Sequence, residues 1–424
     1  MEVTSISGTP SKDLEHLAIT EKKCSSGKQR LNFIESLNYY VSEIVATTTL
    51  LKRTVGNQFA AVKEFASPSK PDLDQDRADI VKQKRNDQGC HECEVLDSRS
   101  EAAESVYQWS ACTKNHGHHK FIPVQEFCLD HLPKWCQRKF VFDMVRIMLV
   151  LTVRLRVTYT SWERPKGYSF YNHRGSDVLH TGTGFVLAVV EGKGPCQCRS
   201  CTDSSSPHQK WYQILVHSAC HVVFNTEEAQ HTKVDFFYDD KTSRLTSLWV
   251  TQAIATDPLA DTCTLLCATH EEALAEKLYA CVRKIENHSQ DIKMDRLSKD
   301  LWRLCVVVSH PHGQPKYVTV GRGLKKEAQS YVYITDTCPG SSGAPVLVFI
   351  PDDDQLKMSD TGDLSFVAPH SEWLPDEELN QSGWARCFNS PFVKYLEYQN
   401  MLRDGASFDT AWKQLFASSI KFPE

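Results

Sequence analysis

Leu151-Thr-Val-Arg-Leu-Arg-Val-Thr-Tyr-Thr160 alternates apolar and polar residues at period two, the mark of a half-buried β-strand. Short β-rich runs follow it at regular spacing. They cover 184–190, 211–216, 233–238, 245–255, 262–267, 302–309, 316–320, 331–334, 344–350 and 364–368, with turn signals between them. Many short strands separated by turns predict an antiparallel sandwich or barrel rather than a βαβ fold. One helix, 270–283, interrupts the series, and another, 139–149, precedes it.

Outside this β-rich region the chain changes character. Residues 1–27 are polar and without periodicity, and we read them as a disordered tail. Over 28–66 apolar residues recur at three and four spacing, which predicts an amphipathic helical arm that must cover its stripe by self-association or by docking on a partner. A charged stretch opened by Ser67-Pro68-Ser69-Lys70-Pro71 reads as a linker over 67–88. A Cys/His-rich segment spans 89–138, and 376–424 reads as a helical extension, with its helix over 392–416.

The chain has 424 residues, enough for two or three domains' worth of core. With 48 Lys+Arg against 53 Asp+Glu the formal charge is -5, so no electrostatic attraction to nucleic acid is expected. The densest apolar run, Ile147 to Leu151, is far short of the roughly 20 residues that span a bilayer, and the N-terminus has no secretory apolar region. We therefore expect no membrane partner and an intracellular, cytoplasmic location. The sixteen cysteines then read as reduced thiols, many of them in apolar strands.

Two clusters of these thiols have metal-like features. Cys196-Gln-Cys198-Arg-Ser-Cys201 has the spacing of a thiolate loop but only three cysteines, with His208 seven residues on. In the N-terminal segment Cys90, Cys93, Cys112, His116, His118, His119, Cys128 and His131 are irregularly spaced. Neither pattern assigns a metal, and no cofactor is called for.

The loop Asp336-Thr-Cys-Pro-Gly340-Ser-Ser342-Gly-Ala-Pro-Val346 precedes an apolar strand and flanks a serine with glycines. Such a turn exposes a side chain beside converging N–H groups, so Ser342 can be a nucleophile and the N–H groups of Gly340 and Ser342 an oxyanion hole. Upstream, a strand from Gln213 ends in the corner Ser-Ala-Cys-His221, where an imidazole can serve as general base. Asp261 stands just before an apolar strand and can orient that imidazole, with Asp257 as rival.

The order His221, Asp261, Ser342 and the motifs around each resemble the trypsin-like, chymotrypsin-fold serine peptidases. Thr181-Gly-Thr-Gly184-Phe-Val and Thr335-Asp-Thr-Cys-Pro-Gly-Ser-Ser-Gly-Ala-Pro resemble the intracellular HtrA-type branch, and the region is similar to uncharacterised invertebrate trypsin-like peptidases. The resemblance spans about 150–372. It implies a mainly β double barrel over 139–375 and hydrolysis of a protein or peptide substrate through a Ser-His-Asp triad; the alternative is a trypsin-fold pseudoenzyme that only binds. It lacks an activation-peptide motif, and Ser341 and Ala344 replace an acidic residue and a Gly.

For substrate preference the resemblance leaves alternatives open. Asp336, six residues before Ser342, aligns with the acidic pocket floor of trypsin-type enzymes and would select basic residues; in the HtrA-like alignment it lies in a loop outside the pocket. Phe366-Val-Ala-Pro-His370-Ser371 should form the other wall, where His370 would read Gln or Glu as in some viral-type relatives; apolar or no preference is the third alternative.

Overall fold

A computed structural model describes residues 75–294, 304–327, 330–348 and 367–384. The predicted tail, amphipathic arm and C-terminal helix lie outside them, as does the expected self-association through 28–66.

Six strands close the first barrel: β3 (Thr152–Val157), β4 (Leu179–Glu191), β5 (Tyr212–Ser218), β6 (Thr232–Phe236), β7 (Thr246–Asp257) and β8 (Thr262–Thr269). They run in the order β4, β3, β6, β7, β8, β5, and β5 returns to β4. The second barrel is built from β9 (Leu304–Ser309), β10 (Tyr317–Glu327), β11 (Ser330–Ile334), β12 (Pro345–Val348), β13 (Val367–Leu374) and β14 (Leu379–Ser382), with β11 pairing both β14 and β10 to close it. All pairings are antiparallel. This is the expected chymotrypsin-like double barrel, with a few helices.

The alternation in β3 works on both faces. Val153, Leu155 and Val157 point into the core, while Arg154 and Arg156 reach a buried Asp235 on β6; Arg154 Nη2 donates to its Oδ2 at 2.8 Å and Arg156 Nη2 to its Oδ1 at 3.2 Å. A buried carboxylate needs such partners, because its desolvation is otherwise uncompensated.

The N-terminal expectations need correcting. Residues 75–86 form a helix, α1 (Gln75–Asn86), not the end of a linker. Its few apolar residues hid it. Val81 joins the core and Lys84 is fully buried, its ammonium donating to Thr160 Oγ1 and the Val178 carbonyl, both at 2.7 Å. Nor is 89–138 a unit apart. Its strands β1 (Glu94–Leu96) and β2 (Ile122–Pro123) add to β4 and β10, and α2 (Glu101–Ser110) lies between them in the chain. The β-region also runs past 375, since β14 belongs to the second barrel and takes residues first read as extension.

Helix α3 (Lys139–Leu151) and the short α4 (Arg199–Thr202) and α5 (Thr226–Gln230) precede α6 (Glu272–Met294), which extends well past the predicted end at 283. Val141, Met144, Val145 and Met148 of α3 meet Leu274, Leu278, Val282 and Ile285 of α6 at helical spacing, and the pair packs against β4.

Arg164 and Glu228 form a fully buried pair, Nε to Oε1 at 2.6 Å and Nη2 to Oε2 at 2.7 Å, and Arg164 Nη2 also donates to the His221 carbonyl at 3.0 Å. Arg164→Ala would leave the Glu228 charge unpaired, so we expect a loss of about 3–5 kcal/mol in chemical denaturation, against less than about 1 kcal/mol for the exposed pair Lys139–Asp143.

Candidate active site

The three residues proposed from spacing meet at the seam of the two barrels. His221 lies just past the end of β5 and Asp261 just before β8, both on the first barrel. Ser342 lies on the loop before β12 of the second. His221 Nε2 is 2.6 Å from Ser342 Oγ, and its Nδ1 is 2.8 Å from Asp261 Oδ2. The His221 backbone N–H also donates to Asp261 Oδ1 at 3.0 Å, and Ser371 Oγ donates to Oδ2 at 2.5 Å. The alternative carboxylate is resolved: Asp257 Oδ1 accepts the N–H groups of Leu259 and Ala260, closing a turn.

Asp261 has φ of 45°, a left-handed conformation that costs an L-residue energy and is held here by its bonds to His221 and Ser371. Burial opposes its ionisation, but the His221 contact outweighs it and holds the carboxyl far below the usual range. Burial also pushes the His221 imidazole down to about 4 although Asp261 works the other way, so at neutral pH the ring is an uncharged base. An imidazole 2.6 Å from a serine oxygen can take its proton as that oxygen attacks a carbonyl.

The serine loop needs its glycines. Gly340 has φ of +97°, and a Cβ there would lie 2.4 Å from the His310 carbonyl oxygen. Gly343 has φ of +80° and leaves no room between Ser218 Oγ and the Thr183 carbonyl. The Thr-Gly-Thr-Gly run of β4 finds its reason here. Thr183 N–H donates to the Ser342 carbonyl and Thr183 Oγ1 to the Gly340 carbonyl, both at 2.8 Å, so the first barrel clasps the loop of the second.

What sequence reasoning missed is the occupant of the cleft, the chain's own Cys90-His91-Glu92-Cys93. The Glu92 carbonyl accepts the N–H of Gly340 at 2.6 Å and that of Ser342 at 3.2 Å, the two groups expected to form an oxyanion hole. The Glu92 N–H donates to Ser342 Oγ at 2.9 Å. Upstream, the Trp373 N–H donates to the Cys90 carbonyl at 3.0 Å, His91 forms an antiparallel bridge with Glu372, and its ring stacks on His221 with centroids 3.8 Å apart. The segment therefore extends β13 as an added strand. Cys90 and Cys93 had drawn notice only as thiols. The signal that was there is Glu92 itself, an acidic residue between them.

The Glu92 side chain is buried in a pocket floored by His370 and Lys114. His370 Nε2 is 2.8 Å from Glu92 Oε2, and Lys114 Nζ is 2.5 Å from Oε1. The ionised Glu92 oxygen can only accept, so His370 Nε2 carries a proton towards it, and Tyr333 Oη lies 2.6 Å from His370 Nδ1 on the other side of the ring. Burial opposes the Glu92 charge, but the Lys114 ammonium and the His370 hydrogen bond prevail and hold the carboxyl down at about 2. Asp336, offered as a pocket floor, is outside: its Oδ1 pairs with exposed Lys120 at 3.2 Å. His370 lies against the Glu92 carboxylate, and Lys114, which sequence reasoning missed, lies far from His370 in sequence.

The thiols also converge in ways the spacing did not reveal. Cys196, Cys198 and Cys201 surround His270 Nδ1 at 3.8, 3.6 and 3.6 Å, while His208 stacks on the His270 ring instead of joining them. The N-terminal segment does not gather into one site. Cys112 and His118 meet His312 and Cys338 of the second barrel, and Cys128 pairs locally with His131.

No family model and no curated protein matches the chain. Among solved structures it is similar to the M. tuberculosis protease Rv3671c, at 14% identity in both forms. The active form is covered over 85% of its chain against 62% of this one, with a TM-score of 0.30; for the inactive form the figures are 93%, 62% and 0.28. At this level of likeness the assignment rests on the geometry alone.

Because the Glu92 carboxyl is held near 2 against an ordinary 4.5, it stabilises the fold above about pH 4.5, and that contribution is lost as pH falls towards 2. Wild type should exceed Glu92→Gln in unfolding free energy by on the order of 3 kcal/mol at pH 7, with the gap closing by about pH 2, as read by denaturant titration across pH.

Proposed function

We propose that the protein is a serine endopeptidase that cleaves after acidic residues, glutamate above all. Ser342 is the nucleophile, His221 the general base and acid, Asp261 the residue that orients the imidazole, and the N–H groups of Gly340 and Ser342 the oxyanion hole. One observation carries this reading: the Glu92 carbonyl already sits between those two N–H groups, with the N–H of the same residue on the serine oxygen, while its side chain fills the adjoining pocket.

The chemistry runs through these atoms. Ser342 Oγ attacks the carbonyl as His221 Nε2 takes its proton, and the oxygen becomes an oxyanion between two fixed donors. Collapse breaks the C–N bond, and His221 hands the proton to the departing amine. Water, deprotonated by the same imidazole, then hydrolyses the acyl ester. Asp261, ionised throughout, keeps Nδ1–H in place and offsets the imidazolium charge.

Selectivity follows from desolvation. A pocket holding an ammonium and an Nε2–H pays for their burial only when a carboxylate enters, and a basic residue would meet like charge. Glutamine can still accept from His370 Nε2 but leaves Lys114 without an anion.

Two measurements test the proposal. Ser342→Ala and His221→Ala should each lower peptide hydrolysis by about 10⁴-fold or more with the fold intact by circular dichroism, and Asp261→Asn should lower it by about 10³–10⁴-fold through the wrong tautomer. With Glu92→Gly, whose cleft has lost its own anchor, a mixed peptide library should be cut after Glu at least tenfold faster than after Arg or Phe. Preferred cleavage after Arg, or hydrolysis that survives Ser342→Ala, would overturn it.

A further inference from the structure

We propose that the chain carries two structural zinc centres, one formed by Cys112, His118, His312 and Cys338, the other by Cys196, Cys198, Cys201 and His270. Zinc bound at about 2.3 Å to thiolate and about 2.0–2.1 Å to imidazole in a tetrahedron places two sulfurs about 3.8 Å apart and a sulfur and a nitrogen about 3.6 Å apart. The observed edges match. In the second cluster three sulfur–nitrogen distances are 3.8, 3.6 and 3.6 Å; in the first, Cys112 Sγ and Cys338 Sγ are 3.7 Å apart and His118 Nε2 is 3.5 Å from Cys338 Sγ.

The surroundings are those of a ligand site. Glu94 Oε2 holds His312 Nδ1 at 2.7 Å, turning Nε2, which has no hydrogen-bond partner, to the cluster; such a carboxylate behind an imidazole is the usual support of a metal ligand. Asn115 Nδ2 donates to Cys338 Sγ at 3.2 Å and the Cys198 N–H to Cys196 Sγ at 3.4 Å, so each of these sulfurs has a donor that would support it as a metal-bound thiolate. With four protein ligands each, both centres are closed and structural rather than catalytic. The first ties the N-terminal segment to the loop that carries Ser342, and the second pins the β4–β5 connection to the end of β8.

Full-length protein, expressed with zinc and desalted, should contain two zinc per chain by mass spectrometry. Cys112→Ser and Cys198→Ser should each retain one, and cobalt exchange should give tetrahedral d–d and thiolate charge-transfer bands. Less than a tenth of a zinc per chain in wild type overturns both centres. A single zinc that only one variant loses overturns the other centre, and a Cys112–Cys338 disulfide in the purified protein overturns the first.

The cleft segment carries a second proposal independently, one that rests on the endopeptidase reading: the Glu92–Cys93 bond is the protein's own first cleavage site, cut in cis. The segment is tethered on both sides, by α1 through Lys84 and by β1 through its pairing with β4. It thus presents its carbonyl to Ser342 without any encounter. Gln88 steadies the leaving side, its Oε1 accepting the Cys93 N–H at 2.8 Å and its Nε2 donating to the Cys93 carbonyl at 3.0 Å. Ser342 Oγ bonds to the Glu92 carbonyl carbon, the bond to Cys93 N breaks, and the serine proton passes through His221 to that nitrogen. Water then releases the Glu92 carboxylate and restores Ser342.

Intact mass and N-terminal sequencing of freshly purified full chain should find a fragment starting at Cys93 in wild type, formed at a rate unchanged over a 100-fold range of protein concentration, and none in Ser342→Ala. The rate should be flat through neutral pH and fall as His221 is protonated below about pH 4. Wild type that stays intact over days while Glu92→Gly hydrolyses added Glu peptides overturns self-cleavage and leaves the endopeptidase standing; a Glu92→Gly protein that hydrolyses nothing overturns the endopeptidase. Cleavage in Ser342→Ala, or a rate proportional to concentration, overturns cleavage in cis.

Discussion

The hydrogen-bond line from Asp261 through His221 to Ser342 crosses the seam between two closed barrels, and the remaining structure keeps that line straight. Its two ends belong to different barrels, so any slip between them would break it. Thr183 prevents the slip by binding the carbonyls on both sides of Ser341, and Gly343 lets the loop approach β4, as Gly340 lets it approach the turn at His310, without a clash. Behind His221, the buried Arg164–Glu228 pair holds its carbonyl, and Ser371 holds Asp261 from the second barrel. Polar groups removed from water at this seam are costly unless paired, and the pairing is what makes the arrangement rigid.

The same economy explains the filled cleft. The N–H groups of Gly340 and Ser342, the His370 imidazole and the Lys114 ammonium all need partners once covered, and one short peptide satisfies every one of them. The segment has a strand-like backbone upstream, and its Glu92 carbonyl lies between two donors. Lys114 belongs to the same covering segment as Glu92 and reaches the pocket from outside the barrels. Part of the pocket that holds the Glu92 carboxylate therefore comes from the N-terminal region, and the Cys112, His118, His312, Cys338 cluster joins that region to the loop carrying Ser342.

How much of this could be read from the sequence follows from the range of each interaction. Strand alternation, turn residues and the helical stripes of α3 and α6 are local, because they express whether a side chain two or four positions away shares its environment. An antiparallel β-rich region and the glycines around the serine were therefore readable, whereas the double barrel and the grouping of His221, Asp261 and Ser342 came from the resemblance of the motifs. Helix α1 was not, since its burial depends on one valine and on a lysine that finds its acceptors on distant strands, and β14 was not, since a four-residue strand has no periodicity of its own.

By itself the sequence determined the β-rich core and offered His221, Asp261, Ser342 and His370 as candidate site residues. Only the tertiary structure decided between Asp261 and Asp257, moved Asp336 to the surface, chose His270 over His208 beside the three cysteines, and laid Glu92 across its own serine. The physical reason is common to all four. Each depends on which atom lies within about 3–4 Å across tens or hundreds of residues of chain, and chain closure into two barrels sets those distances where spacing along the sequence does not.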